Sequence, residues 1–475
     1  MKKIFLFSFW LIAYCLLPTV SFAQIWSGSG GSQAFAFCSD STIMAWGQNI
    51  WGKLGDGTNI NRPTPITLSI TNVKSVATGA HTLFLKNDGT VWGSGRNASG
   101  EIGIGVIGEI WTPVQTNITN VIAIAVGGYE HSLFLKNDGT IWACGNNNYG
   151  QLGIGTNIGP DTCWGLSCST MPMQVQNLAG IIDIAAGHNH SLALKNDGTV
   201  WAWGYNCCGQ VGDSTYSNYK VSPMQVWNLT NIIAIGAGAD FSFAIKNDGT
   251  VWGWGNNSYG HLGDGTSFNT RIIPVQTEMS FKSISALYGG QYHGIATDGN
   301  VWAWGRNESG EVGIGNNIQQ DSPVMNGLSP TIVKVAAAGF SSYALKNDST
   351  LWAWGRNTEA ALGIGDTLDR WTPVQVIGLC PVMLPVQEIK SPFDVAIYPN
   401  PSTGIFTITP TQKISEIEIT NLIGQKIYPF NSNHFSLPSG GSGWALNLSS
   451  QPNGIYFLHL QTEKRTANKK IIINK

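Results

Sequence analysis

One short pattern recurs seven times along this chain of 475 residues, and no other feature restricts its fold so tightly. The copies read TIMAWGQNIWGKLGDG from Thr42, TVWGSGRNASGEIGIG from Thr90, TIWACGNNNYGQLGIG from Thr140, TVWAWGYNCCGQVGD from Thr199, TVWGWGNNSYGHLGDG from Thr250, NVWAWGRNESGEVGIG from Asn300 and TLWAWGRNTEAALGIG from Thr350. Between the equivalent glycines Gly47, Gly95, Gly145, Gly204, Gly255, Gly305 and Gly355 the spacings are 48, 50, 59, 51, 50 and 50 residues. Such a period is too long for one strand or helix. Each repeat is therefore a supersecondary unit that buries its faces against its neighbours, as in a solenoid or propeller.

Within a repeat, HSLALKNDGTVWAWG (His190 to Gly204) shows two alternating apolar runs around Asn196-Asp197-Gly198, a strong hairpin signal. Five repeats carry Asp-Gly here, and the other two have Asp40-Ser41 and Asp348-Ser349. A glycine-rich loop follows, then a Pro-Val strand such as TPVQV (Thr372 to Val376) and an apolar strand such as IIDIAAG (Ile181 to Gly187). Four short strands per unit, no helical periodicity and seven units predict an all-β seven-bladed β-propeller. In TVWAWG, Trp201 and Trp203 point one way and Val200 and Ala202 the other, so the large side chains of one blade fill the hollow left by small ones on the next. Eleven of the 19 tryptophans occupy these two positions, which marks them as core rather than a ligand site. GIGVIG (Gly103 to Gly108) is no dinucleotide fingerprint, because no βαβ unit surrounds it.

The WxWGxNxxGxLGxG core, recurring seven times at this period, resembles the regulator of chromosome condensation (RCC1) repeat over residues 24–378. Further on, SPFDVAIYPNPSTGIFTI, ISEIEITNLIGQKIY, LNLSSQPNGIYFLHL and the basic KRTANKKIIINK ending closely resemble the type A C-terminal sorting domain of the type IX secretion system of Bacteroidetes, over residues 393–475. Alternation in EIEIT and IYFLHL independently predicts a small antiparallel β-sandwich. Residues 379–392, with Pro381 and Pro385, read as a linker.

Residues 1–23 read as a secretory signal peptide: Lys2 and Lys3, an apolar run too short to span a bilayer comfortably, then Ser21-Phe22-Ala23. Cys15 belongs to that discarded segment. No later apolar run is long enough to cross a membrane. The expected route is Sec export followed by the type IX machinery, which the resemblance implies acts through residues 393–475, to the cell surface or the outside. Export leaves seven cysteines in an oxidising setting: Cys38, Cys144, Cys163, Cys168, Cys207, Cys208 and Cys380. Cys163 and Cys168 flank WGLS in the longest repeat, and a disulfide stapling that insertion is the favoured pairing. Cys207 and Cys208 form a strained vicinal bridge, pair with the insertion or remain free. Their spacings are not those of a zinc ligand set, and no metal or cofactor is expected.

Charged residues make up 11% of the chain and the net charge is −2, so no basic nucleic-acid surface is signalled. His81, His131, His190 and His293 recur at one position, but Gln33, Phe241 and Ser341 replace them elsewhere, which points to packing rather than catalysis. Asp56, Asp213, Asp264 and Asp366 read as turn caps. With no catalytic set in view, the leading expectation is a secreted, non-catalytic binding module for a protein or glycan. Its binding residues are expected among the loop aromatics Trp51, Tyr149, Trp164, Tyr205 and Tyr259. The alternatives are guanine-nucleotide exchange, as in the namesake of the repeat family, and an enzyme site in the propeller channel. The last repeat also lacks an apolar strand after TPVQVIG, so the N-terminal QIWSGSGG is expected to complete the seventh blade.

Overall fold

The computed structural model describes residues 24–26, 31–38, 42–128, 130–277, 286–289, 293–297, 299–328, 331–379, 395–400, 402–403, 405–410, 416–421, 426–428, 435–436, 444–461 and 466–474. The expected signal peptide, Cys380 and all of the linker except Leu379 lie outside them. The chain divides into two units, Met1–Pro381 and Val382–Lys475.

In the first unit the described residues form seven antiparallel sheets, one per repeat. Blade 4 shows the plan: Ile181–Ala186, His190–Lys195, Val200–Tyr205 and Tyr219–Gln225 pair in sequence order. The Asp-Gly hairpin closes as its sequence demands. Gly198 has φ 78°, and the Asp197 carboxylate accepts from the Thr199 backbone N–H at 3.0 Å and from its hydroxyl at 2.6 Å. Where Ser349 replaces glycine it adopts φ 68°, and Asp348 still caps Thr350.

The seventh-blade expectation is corrected. Gln24–Trp26 pairs with Gln33–Phe37 in blade 1, and blade 7 already has four strands, Ile332–Ala338, Ser341–Lys346, Leu351–Gly355 and Arg370–Gln375. The error was one of phase. The apolar strand turns tightly into the strand after it, with Gly187 N–H donating to His190 C=O at 2.9 Å, rather than pairing with the Pro-Val strand before it. Every blade is therefore contiguous in sequence, and the ring closes without a strand shared between its ends. At that seam Gly365 N–H donates to Pro63 C=O at 2.8 Å, the bond that Gly155 makes to Val221 and Gly315 to Trp371 at other seams.

Seven apolar clusters each join one blade to the next. The two tryptophans of a repeat share a cluster but not a burial. Trp46, Trp203, Trp254, Trp304 and Trp354 are fully buried. The outer tryptophans are half-buried, and a lysine ammonium lies over the ring: Lys86 on Trp92 at 4.2 Å, Lys246 on Trp252 at 4.1 Å, Lys346 on Trp352 at 4.6 Å. Small residues make room for the inner indole. A Cβ on Gly212, whose φ is 72°, would sit 2.6 Å from the Trp254 ring.

In the second unit, two four-stranded sheets hold one core of Phe406, Ile408, Leu446, Ile419, Tyr456, Leu458, Leu460, Ile471 and Ile473. These are alternate residues of their strands, which gives the expected sandwich.

Burial separates the two tryptophan positions energetically. Trp203→Ala is expected to cost about 3–5 kcal/mol and Trp201→Ala about 1–2 kcal/mol. Denaturant unfolding followed by circular dichroism measures both, and equal losses would contradict the assignment.

Candidate functional site

Two sets of loops meet at one end of the ring: the turn between first and second strands, and the glycine-rich loop after the third. Backbone bonds fasten them together, as from Asn146 N–H to Glu130 C=O, Tyr205 to Asn189 and Asn256 to Asp240, each 2.8 Å. Inside each glycine-rich loop a buried asparagine sets the curve. Asn206 Oδ1 accepts from Val211 N–H at 3.0 Å, and Asn49, Asn97, Asn147, Asn257, Asn307 and Asn357 do the same in their repeats.

Two positions of this loop face the neighbouring blade: the residue before the asparagine and the second residue after it. The aromatic at the later position of one blade meets the earlier position of the next. The Arg96 guanidinium lies 5.6 Å from the Trp51 ring, Tyr149 and Tyr205 rings are 4.7 Å apart, and Arg306 lies 5.6 Å from Tyr259. Cys208 occupies the same later position, and Asn256 Nδ2 reaches its sulfur at 4.0 Å. Phe340 receives both Arg306 and Arg356, at 5.1 and 5.3 Å. Glu130 pairs with Arg96 and accepts from Ser99 Oγ at 2.7 Å and Asn146 Nδ2 at 3.1 Å. The structure thus brings Tyr149 and Tyr205 into one pair and leaves Trp51 and Tyr259 in separate contacts with arginines.

Trp164 stands apart from all four. With its extra nine or so residues the third repeat lengthens the fourth strand of blade 3, Leu166–Gln174, and folds Asp161–Cys163 back on it as a fifth strand, forming a hairpin. A disulfide joins Cys163 and Cys168 across its tip, where Trp164 and Gly165 have φ 53° and 82°. Positive φ at both central residues is the turn that matches strand twist, and it is costly for tryptophan. Trp164 is 80% exposed. The hairpin is rooted on the loop that carries Tyr149, with Asn147 N–H donating to Ser167 C=O at 2.8 Å and Ser167 N–H to Asn148 Oδ1 at 3.0 Å.

Sequence reasoning missed Arg96, Glu130, Arg306 and Phe340. A signal existed for the arginines, which directly follow the glycine of the tryptophan strand in their repeats.

Beneath this end, hydrogen bonds run around the ring. Ser132 Oγ donates to Glu101 C=O at 2.6 Å, Ser191 to Gln151 at 3.0 Å and Ser242 to Gln210 at 2.9 Å. His81, His131 and His190 contact those hydroxyls through Nε2 at 2.6, 3.1 and 2.9 Å. Each serine proton is already committed to a carbonyl, so the imidazole Nε2–H is the donor, and the buried Nδ1, which meets no acceptor, carries no proton. Burial pushes all three histidines down to about 3. The ring of His190 covers Gly187 as the ring of Phe241 covers Gly238, so one packing site accepts either residue. The side chain of His293 is outside the described residues. Asp56, Asp213 and Asp264 cap Thr58, Thr215 and Thr266 and pair with Arg62, Lys220 and Arg271. Among the described residues no three His, Cys, Asp or Glu side chains converge as a metal site, and no helix is long and apolar enough to cross a membrane.

Seven blades contiguous in sequence, six of four strands and one of five, each packed against the loop of the preceding blade, define a repeat propeller. Residues 112–391 match the RCC1-like domain family and residues 40–85 the regulator of chromosome condensation (RCC1) repeat; the chain belongs to the RCC1-like family. Residues 396–474 match the secretion system C-terminal sorting domain, which directs the protein to the cell surface or the outside. Similar solved structures include human WBSCR16, 25% identical with TM-score 0.63 over 70% of this chain and 93% of that one. Yeast RCC1 (Prp20), solved bound to Kap60, is 22% identical with TM-score 0.61 over 70% of this chain and 83% of that one, which shows the fold alone. In sequence, the probable E3 ubiquitin-protein ligase HERC6 of Homo sapiens is 39% identical over 109 residues, 22% of this chain. The mitochondrial RCC1 domain-containing protein RUG3 of Arabidopsis thaliana is 42% identical over 96 residues, 19% of this chain. The matched segments span 10% of HERC6 and 21% of RUG3.

The buried histidines give the protein an acid limb. Their folded pKa lies below the unfolded value, so the stability they contribute is complete above about 6.5 and is lost as pH falls toward 3. His190→Phe should flatten that limb by about 1.4 kcal/mol per pH unit. Urea unfolding at a series of pH values tests this, and an unchanged slope would show that His190 does not stay neutral.

Proposed function

We propose that the protein is a secreted, non-catalytic binding module that presents the loop end of its propeller to a protein outside the cell. The observation that carries this reading is Trp164, 80% exposed at the tip of a disulfide-closed hairpin with positive φ. Backbone strain kept at an exposed aromatic is expected where that side chain is used, and exposed tryptophan and tyrosine supply interface hot spots. The hairpin fixes Trp164 beside the loop of Tyr149, whose ring already packs on Tyr205. Together they offer an exposed aromatic anchor and, on the loop at its root, an aromatic pair. The arginines of this end are largely matched within the molecule, Arg96 by Glu130, Arg306 by Glu308 and Arg356 by Glu359 at 3.3 Å. Contact area and shape, rather than net charge, then set the partner. RCC1-like propellers are binding and exchange-factor folds, which agrees with this role without choosing the partner.

The test is capture by the immobilised full chain from the surface and secreted proteins of the source organism, with a glycan array in parallel. Trp164→Ala and the double change Tyr149→Ala, Tyr205→Ala are each expected to weaken capture at least about tenfold, in keeping with hot-spot losses. A protein captured equally well by both variants would remove this end from consideration. Capture confined to the array would change the partner class to glycans.

A further inference from the structure

The loop of blade 4 differs from its six equivalents in carrying two adjacent cysteines, and its chemistry goes beyond the binding role. Cys207 and Cys208 both have free thiols, the first exposed and the second half-buried, with their sulfurs 3.2 Å apart. The remaining free thiol among the described residues, Cys144, is fully buried and donates to Glu101 C=O at 3.2 Å, where no reagent reaches it. Cys208 lies where Trp51, Tyr149 and Tyr259 lie in other blades, with its backbone N–H held by Gln210 Oε1 at 3.0 Å and Asn256 Nδ2 near its sulfur. The Tyr205 hydroxyl lies close enough to Cys207 for the two groups to interact.

We propose that Cys207 and Cys208 form a thiol–disulfide exchange site that takes low-molecular-weight disulfides as its co-substrate. The exposed Cys207 thiolate attacks the external disulfide, giving a mixed disulfide and one released thiolate. Cys208 then attacks the Cys207 sulfur and expels the second. Two protein thiols are oxidised to one vicinal disulfide, one external disulfide is reduced to two thiols, and the two protons pass to the leaving groups. The order follows from position: burial and the neighbouring Cys207 push the Cys208 thiol up to about 12, which suits it to the second, intramolecular step. Adjacent Cα atoms are about 3.8 Å apart, shorter than the usual disulfide span, so the product is strained and easily reduced. It is therefore a reversible modification rather than a structural staple.

Oxidation moves the Cys208 sulfur, which Asn256 Nδ2 reaches at 4.0 Å, and so reshapes the loop that carries Tyr205 of the Tyr149–Tyr205 pair. This coupling rests on the binding role proposed above; the covalent step does not.

Trypsin supplies a clean readout, because cleavage after Lys195 and Lys220 releases one peptide, Asn196–Lys220, whose two cysteines are these. The native full-length protein is incubated with glutathione disulfide, quenched in acid, alkylated and digested without reduction. The expected peptide has lost about 2 Da, resists alkylation, and regains both thiols under mild dithiothreitol. Cys208→Ser is expected to stop at a glutathione adduct on Cys207, and Cys207→Ser to react far more slowly. Two alkylated cysteines, or a persistent adduct in the wild type, would overturn the exchange site. Capture by the reduced and oxidised forms then separates the two ideas. Equal capture by both overturns the coupling, whereas capture by neither overturns the binding role and leaves the exchange chemistry intact.

Discussion

The ring depends on one backbone carbonyl per blade, that of the first of the two residues between the paired glycines of the loop. Gln151 C=O accepts the Trp203 indole at 2.9 Å and the Ser191 hydroxyl at 3.0 Å, both from the next blade. Gln210 C=O serves Trp254 and Ser242, and Glu311 C=O serves Trp354 and Ser342, all at 2.9 Å. Burying an indole N–H without a partner costs a large part of what its apolar area contributes, so the tryptophan core and the loop conformation require each other. At the closing seam the equivalent carbonyl is taken within its own blade, and the buried Trp46 indole N–H of blade 1 makes no bond to it. The Tyr343 hydroxyl of blade 7 donates to Ala361 C=O at 2.6 Å, and its ring packs edge-on against Trp46 at 6.4 Å.

The side chains at that loop position show what the arrangement tolerates. Gln151 and Gln210 each accept from the backbone N–H two residues earlier, and Glu101 and Glu311 do the same with a carboxylate. Burial pushes both glutamates up to about 7, and pushes Lys53, at the same position in blade 1, down to about 7 against the pull of Glu359. Ionisable groups are held here for their hydrogen bonds to the loop, at an electrostatic cost that glutamine avoids.

Much of this was legible in the sequence for local reasons. Asp-Gly between alternating runs names a hairpin, and a tryptophan two residues from another in a strand must share its face, so the fold class followed from a single repeat and its count. Phase was not legible, because the Pro-Val and apolar strands are both strand-like and only the tight turn at Gly187 decides which neighbour the second one joins. The candidate site was legible as a set of residues but not as contacts. Tyr149 meets Tyr205, and Trp51 meets Arg96, only because blades about 50 residues apart in the chain stand side by side, which no local pattern encodes. Phe340 and Glu130 come from the tighter turn between the first and second strands, outside the repeated motif altogether.

The contiguity of each blade carries a consequence for how such a chain can change. A staggered ring, in which one blade borrows a strand from the far terminus, is locked to its blade number, since any gained or lost segment leaves two broken sheets. Here the unit of inheritance and the unit of structure coincide. Duplicating or deleting one stretch of about 50 residues adds or removes a whole blade with its loop, so new loop residues enter at that end of the ring without a torn edge to repair.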